Sequence, residues 1–180
     1  MGDENGKVPL AMEKPVQGCP KQSLVVSDDF NGSVLKLNWQ WNHNPVNEAW
    51  SLIERPGFLR LKTSRVVDNL FLAPNTISQR MEGPECSGVV ALDVTQMKEG
   101  DVAGFSAFNG DAAILSVSVK NGKKYLTMSE TSVSLDSSNK AVLGVKSKRR
   151  GQVEFEQSVI YLRIDRSEEH TSELQSLYLI

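Results

Sequence analysis

The segment Val117–Met128 reads VSVK-NG-KKYLTM, and it restricts what this chain can fold into more than any other. Apolar residues recur at every second position on both sides of Asn121-Gly122. A period of two places alternate side chains on opposite faces of a strand, and it does not build the continuous apolar stripe of a helix. Asn-Gly supplies the two positive φ angles of a type I′ turn, whose twist matches that of the strands it joins. A β-hairpin is the expected result.

The same pattern recurs along most of the chain. Val34–Asn42 alternates, with Leu35, Leu37, Trp39 and Trp41 on one face and Lys36, Asn38 and Gln40 on the other. Pro56-Gly57 marks a turn before a strand over Phe58–Thr63, and Thr76–Met81 reads as a short strand. Gly88–Val94 points Val90, Leu92 and Val94 one way. Val102–Phe108, Ala112–Val119 and Lys124–Ser129 make a meander, joined at Asn109-Gly110 and Asn121-Gly122. Gln152–Glu156 and Val159–Ile164 follow, and no segment sustains a helical period. Many short antiparallel strands with frequent turn signals imply an all-β sandwich or barrel, its two sheets about 10 Å apart.

Composition narrows the function classes. The chain has 180 residues and a net charge of −2, which gives no electrostatic case for nucleic acid or an anionic membrane as partner. The basic run Lys146-Ser147-Lys148-Arg149-Arg150 reads as a solvated loop. No apolar run has the length of a membrane-spanning helix. Cys19 and Cys86 are too few for a disulfide framework and read as two unpaired thiols.

All three tryptophans, Trp39, Trp41 and Trp50, lie close together around the polar turn Asn42-His43-Asn44-Pro45. Indoles on one strand face form either a core wall or a platform for a flat, partly apolar ligand such as a sugar ring. Asn42, His43 and Asn44 have the donors and acceptors to meet sugar hydroxyls, and equally to bond their own backbone in a turn. Trp39, Trp41, Asn42, His43, Asn44 and Trp50 are therefore the carbohydrate-contact candidates. No cofactor is expected. Asp28-Asp29 has the oxygen ligands that calcium takes, but a turn pair ahead of the first strand is the preferred reading. Glu99-Gly100-Asp101-Val102-Ala103-Gly104 comes nearest to the Glu-x-Asp-x-x-Glu pattern of sandwich enzymes, with Gly104 where the last carboxylate would stand. Arg55 and Arg80 read as structural, paired with Glu54 or Glu82.

The run from Trp39 to Pro45, then Trp50-Ser51-Leu52 and Glu54-Arg55-Pro56-Gly57-Phe58-Leu59-Arg60-Leu61, resembles the C-terminal concanavalin-A-like β-sandwich of glycoside hydrolase family 43. Ala73-Pro74-Asn75-Thr76-Ile77-Ser78-Gln79-Arg80, Leu92-Asp93-Val94 and Met97–Gly104 extend the resemblance, which runs from about Asp28 to Asp165. Many members carry Arg where this chain has Pro74. The resemblance implies an accessory domain of a bacterial xylan or arabinoxylan hydrolase. Its partners would be an N-terminal catalytic propeller of the same polypeptide and a plant cell-wall oligosaccharide. The hydrolytic carboxylates would sit on that propeller, so this chain alone would have no catalytic residues. Family habit implies periplasmic or secreted parents. An independent carbohydrate-binding module is the alternative, and a stand-alone sandwich enzyme ranks third.

Residues 1–23, with Pro9, Pro15 and Pro20, read as a linker leaving that catalytic domain, with Met1 an internal methionine or a gene-calling choice. Residues 24–165 read as an incomplete sandwich. Arg166–Ser176, RSEEHTSELQS, matches residue for residue the translation of a common short-read sequencing adapter. Residues 166–180 are therefore read as an artefactual tail and left outside the fold.

Overall fold

The computed structural model describes residues 6–8, 13, 16–20, 23, 25–138, 141–167 and 176–179. Leu24, where the domain is expected to begin, lies outside them, as do residues 1–5, much of the expected linker and residues 168–175 of the expected tail.

The described elements are almost all strands. In chain order they are β1 (Gln40–Trp41), β2 (Trp50–Ser51), β3 (Arg60–Leu61), β4 (Ile77–Arg80), β5 (Glu85–Asp93), β6 (Val102–Asn109), β7 (Asp111–Lys120), β8 (Lys123–Leu135), β9 (Val142–Phe155), β10 (Val159–Ser167) and β11 (Ser176–Leu179). Asn47–Ala49 and Leu70–Leu72 are single 3-10 turns. The strands form a seven-stranded sheet in the order β1-β4-β11-β6-β7-β8-β9, and two ribbons, β5-β10 and β2-β3. Every pairing is antiparallel. An antiparallel all-β architecture is what the alternation implied, and its concanavalin type is what the resemblance implied.

The firmest local expectation holds in detail. Lys120 pairs with Lys123 across Asn121 (φ 53°) and Gly122 (φ 72°), both in the left-handed region that a type I′ turn uses. The Glu99 carboxylate accepts from Asn121 N at 2.9 Å and Gly122 N at 3.2 Å, so the turn is also pinned from outside. Asn109-Gly110 behaves differently. Asn109 pairs with Asp111 across Gly110 alone (φ 83°), so the expected two-residue loop does not form.

Cross-strand register sorts the side chains into two faces. Leu126 pairs with Val117 and Val117 with Ala103, while Met128 pairs with Leu115 and Leu115 with Phe105. Phe105, Ala107, Val117 and Val119 on this face are buried, and β10 lies against β6 with Leu162 buried. At the β8-β9 end of the same face Met128 and Val153 are exposed. The opposite face carries Phe108 and Ala112, which pack with Leu70, Phe71, Ala73 and Ile114. Gly104 pairs with Ser116, and a Cβ there would lie 2.2 Å from Leu115 O. Its glycine is a demand of backbone approach, and this accounts for the residue that interrupts the carboxylate pattern.

Several expected boundaries are corrected. The strand expected over Val34–Asn42 shrinks to Gln40–Trp41, because the chain turns first, with Trp39 N donating to Lys36 O at 3.1 Å. Leu37, expected on one face with Leu35, Trp39 and Trp41, is fully exposed. The strand expected over Phe58–Thr63 reduces to Arg60–Leu61. The basic run is not a loop: it lies within β9, the edge strand of the large sheet. There Arg150 pairs with Glu130, and Arg150 is the extra residue where the ladder steps from Met128↔Gly151 to Ser129↔Arg149. Charges and a bulge on an edge strand discourage pairing with other chains. Residues beyond Asp165 were left outside the fold, yet Arg166 and Ser167 end β10 opposite Cys86 and Glu85, and β11 sits inside the large sheet. No disulfide joins exposed Cys19 to half-buried Cys86.

Candidate functional site

The tryptophan block divides into two clusters because the chain turns between Lys36 and Trp39. In the first, Trp39 stacks on Phe30, with ring centroids 5.5 Å apart, and donates from Nε1 to Asp28 Oδ2 at 2.8 Å. Asp28 Oδ1 accepts from Lys36 Nζ at 2.8 Å and from Phe30 N at 3.0 Å. Burial opposes the Asp28 charge, but the hydrogen bonds from Lys36, Trp39 and Phe30 N outweigh it and hold the carboxyl below its ordinary range. Asp29 is bound by Asn31, whose side chain donates at 2.7 Å and whose backbone N–H also donates; these bonds lower its pKa. The pair builds a turn. A calcium ion on Asp28 would have to displace an ammonium, an indole N–H and an amide, so this donor set suits the residues that already fill it.

In the second cluster Trp41 and Trp50 meet with ring centroids 5.2 Å apart and planes tilted by 54°. Trp41 is held in register opposite Ile77 and Trp50 opposite Leu61. Trp50 Nε1 and Thr76 Oγ1 are buried with no hydrogen-bond partner in the structure.

The polar turn follows Trp41 directly in the chain. Asn42 N donates to Thr76 O at 2.9 Å, and its side chain reaches Phe71 O at 3.5 Å. His43 Nε2 sits 2.7 Å from the same Phe71 carbonyl. A carbonyl only accepts, so Nε2 carries a proton in this contact. Asn75 closes the loop from below: its Oδ1 accepts from Val46 N at 3.1 Å, and its Nδ2 donates to Ala49 O at 3.1 Å. His43 and Asn44 are exposed, while Asn42, Trp41 and Trp50 are half-buried. The turn is thus held in place by hydrogen bonds from its backbone and from the side chains of Asn42 and His43.

Of the six candidates, the structure sets Trp41 against Trp50, brings Asn42 and His43 to one carbonyl, that of Phe71, leaves Asn44 exposed, and places Trp39 with Phe30 and Asp28. The sequence reading missed Phe71 and Asn75, which anchor the turn. Asn75 stands in the Ala73–Arg80 block that carries the family resemblance, whereas nothing local marks a carbonyl such as that of Phe71.

Arg55 does not pair with Glu54 or Glu82. Its guanidinium pairs with Asp93 and lies 3.8 Å from the centroid of the Phe58 ring, while Glu54 takes Lys62 and Arg60. Gln79 is buried and exchanges two 3.0 Å hydrogen bonds with the Val26 backbone, so its amide substitutes for a strand partner. Glu99 and Asp101 are used up in turns: Glu99 caps Asn121-Gly122, and Asp101 accepts from Lys98 N at 2.8 Å and from Thr63 Oγ1 at 3.1 Å.

Comparison with known proteins identifies the family of the domain. Residues 27–178 match the model of the β-xylosidase C-terminal concanavalin A-like domain. A β-xylosidase of Formosa agariphila is 38% identical over 146 residues, which are 69% of this chain and 25% of that protein. The chain thus spans about a quarter of this curated relative. The bifunctional GH43-CE of Bacteroides eggerthii superimposes with a TM-score of 0.76 at 31% identity, over 98% of this chain and 26% of that one. A GH43 glycoside hydrolase engineered to display both endo-xylanase and exo-arabinofuranosidase activity gives a TM-score of 0.74 at 26% identity, over 99% and 36%.

Proposed function

The chain belongs to the family of β-xylosidase C-terminal concanavalin A-like domains, and we propose that it acts as the accessory sandwich of a glycoside hydrolase. In this reading it packs against an N-terminal catalytic domain of the same polypeptide and shapes one edge of that domain's substrate pocket. The substrates would be xylan- or arabinoxylan-type chains, and bond cleavage would take place on the catalytic domain.

The observation that carries this reading is that residues 27–178 match a C-terminal domain, and that the chain spans only 25% of the Formosa β-xylosidase and 26% of the Bacteroides eggerthii protein. Val34, Leu37, Ile53, Val66, Val89 and Tyr161 are among its exposed large apolar residues. Exposed apolar side chains of this size support contact with another protein surface. The fixed turn Asn42–Pro45 supports the pocket-edge role, because His43 and Asn44 offer hydrogen bonds from a backbone that is already held in place.

Sequencing the gene outward in both directions tests the proposal. An in-frame catalytic region ahead of Met1 is expected. A true start at Met1 would overturn it in favour of an independent module. Titration with xylo-oligosaccharides, followed by tryptophan fluorescence, separates the two further. The accessory role expects no saturable binding by this chain alone, and the independent module requires it.

A further inference from the structure

The β5-β10 ribbon is apolar on both faces along its centre. β5 holds the run Gly88-Val89-Val90-Ala91-Leu92, and β10 the run Val159-Ile160-Tyr161-Leu162. On one face Val90 stands opposite Leu162 and Leu92 opposite Ile160; on the other Val89 stands opposite Arg163, Ala91 opposite Tyr161 and Asp93 opposite Val159. The first face turns to the large sheet, where β10 lies against β6 and Leu162 is buried. The second is open among the described residues, with Tyr161 76% and Val89 61% exposed. An uninterrupted apolar run fits a strand covered on both sides, whereas alternation fits one that faces water. β8 shows the alternating kind, since Thr127, Ser129 and Thr131 alternate with Leu126 and Met128.

The chain enters the domain beside this open face. A Cβ on Gly57 would stand 3.4 Å from Asn31 Oδ1 and 3.9 Å from Asp29 O, so the entry segment lies against the Pro56-Gly57 turn. Arg55, next to that turn, pairs with Asp93 at the end of the open row. The polypeptide ahead of Asp29 therefore leaves from the rim of the face. A partner tethered there acts at about millimolar effective concentration, so a small apolar face suffices to hold it.

We propose that the outer face of the β5-β10 ribbon, centred on Tyr161 with Val89, Ala91 and Val159 around it, docks the N-terminal catalytic domain of the same polypeptide. This rests on the accessory role proposed above and names the face that performs it. Tyr161 is the anchor, a rigid amphipathic side chain of the kind that dominates interface cores. Arg163 and Asp165, paired with each other and exposed, form a polar rim. The surface it meets is accordingly apolar at its centre and polar at its border.

The test compares this chain with the full polypeptide that its gene encodes. Hydroxyl-radical oxidation of Tyr161 should be about fivefold slower in the full polypeptide, because an interface core is packed as tightly as a protein interior. A photo-crosslinking benzoylphenylalanine placed at Tyr161 in the full polypeptide then identifies what covers the face. Capture of the region ahead of Met1 within the same molecule is expected. Capture of a segment downstream of Asp165, or of a second copy of the polypeptide, overturns the proposal. The same group placed at Leu37 and at Ile53, both exposed, separates the proposal from the reading beneath it. Capture of the catalytic domain from either of these, with none from position 161, overturns the face and leaves the accessory role standing. Capture from none of the three positions, with Tyr161 oxidised equally fast in both proteins, overturns both.

Discussion

The indole N–H of Trp39 donates to Asp28 Oδ2 at 2.8 Å, and Asp28, whose side chain is only 5% exposed, carries a lysine on its other oxygen. A residue read as either core wall or one tile of a sugar platform also clamps a nearly buried carboxylate. Replacing Trp39 by Phe keeps the contact with Phe30 and leaves Oδ2 short of a donor. The expected loss is about 1–3 kcal/mol, the cost of an unsatisfied buried acceptor. A urea titration followed by the fluorescence of Trp41 and Trp50 measures it, and an unchanged midpoint would show that the bond contributes nothing.

Acid sensitivity should centre on Asp93. Burial works against its charge, but hydrogen bonds from Thr95 and Arg55 prevail and set its pKa at about 2, against an ordinary 3.8. A depressed folded value means that the contribution is full above the unfolded pKa and is lost as pH falls through the folded one. It amounts to about 2 kcal/mol and should disappear between about pH 4 and pH 2. The urea midpoint of Asp93→Asn should be lower at neutral pH and flatter across this window. Parallel curves for the two proteins would refute the assignment.

Gly104→Ala should be among the more damaging single-methyl additions in the chain. The new Cβ meets backbone, Leu115 O at 2.2 Å and Ser116 Cα at 2.9 Å, and neither can swing aside. A loss of about 1–3 kcal/mol is expected from overpacking, read as a lower thermal midpoint. Gly144→Ala is the control, since a Cβ there meets nothing within 4 Å.

Gly122→Ala tests the turn. At φ +72° a side chain is strained even though the space around it is open. The expected cost is about 1–2 kcal/mol, with faster hydrogen exchange at the Lys120 and Lys123 amides. Unchanged exchange there would mean that the turn does not depend on its glycine.

The hairpin and the meander were legible because their information is local. Alternation, Asn121-Gly122 and the β-rich composition all act within a dozen residues, and they agree with one another. The tryptophan block misled for the same reason: read locally, Leu35, Leu37, Trp39 and Trp41 make one clean face. The structure gives that face up to satisfy Asp28, and Leu37 ends in solvent. The pairing of Arg55 was likewise misread, since Glu54 is adjacent in sequence while Asp93 is 38 positions away.

What the sequence by itself determined is the class of this protein: antiparallel strands, a type I′ hairpin, and a family recognisable from its Trp39–Leu61 block. These follow from side-chain alternation and backbone dihedral preference, which each short segment carries on its own. Tertiary structure alone decided which tryptophans meet, that Phe71 and Asn75 hold the Asn42–Pro45 turn, that Gln79 ties down Val26, and that β11 lies between β4 and β6. Each of these is a partnership between distant segments. Buried polar groups must find a partner, and which one they find depends on what the fold brings within hydrogen-bonding distance.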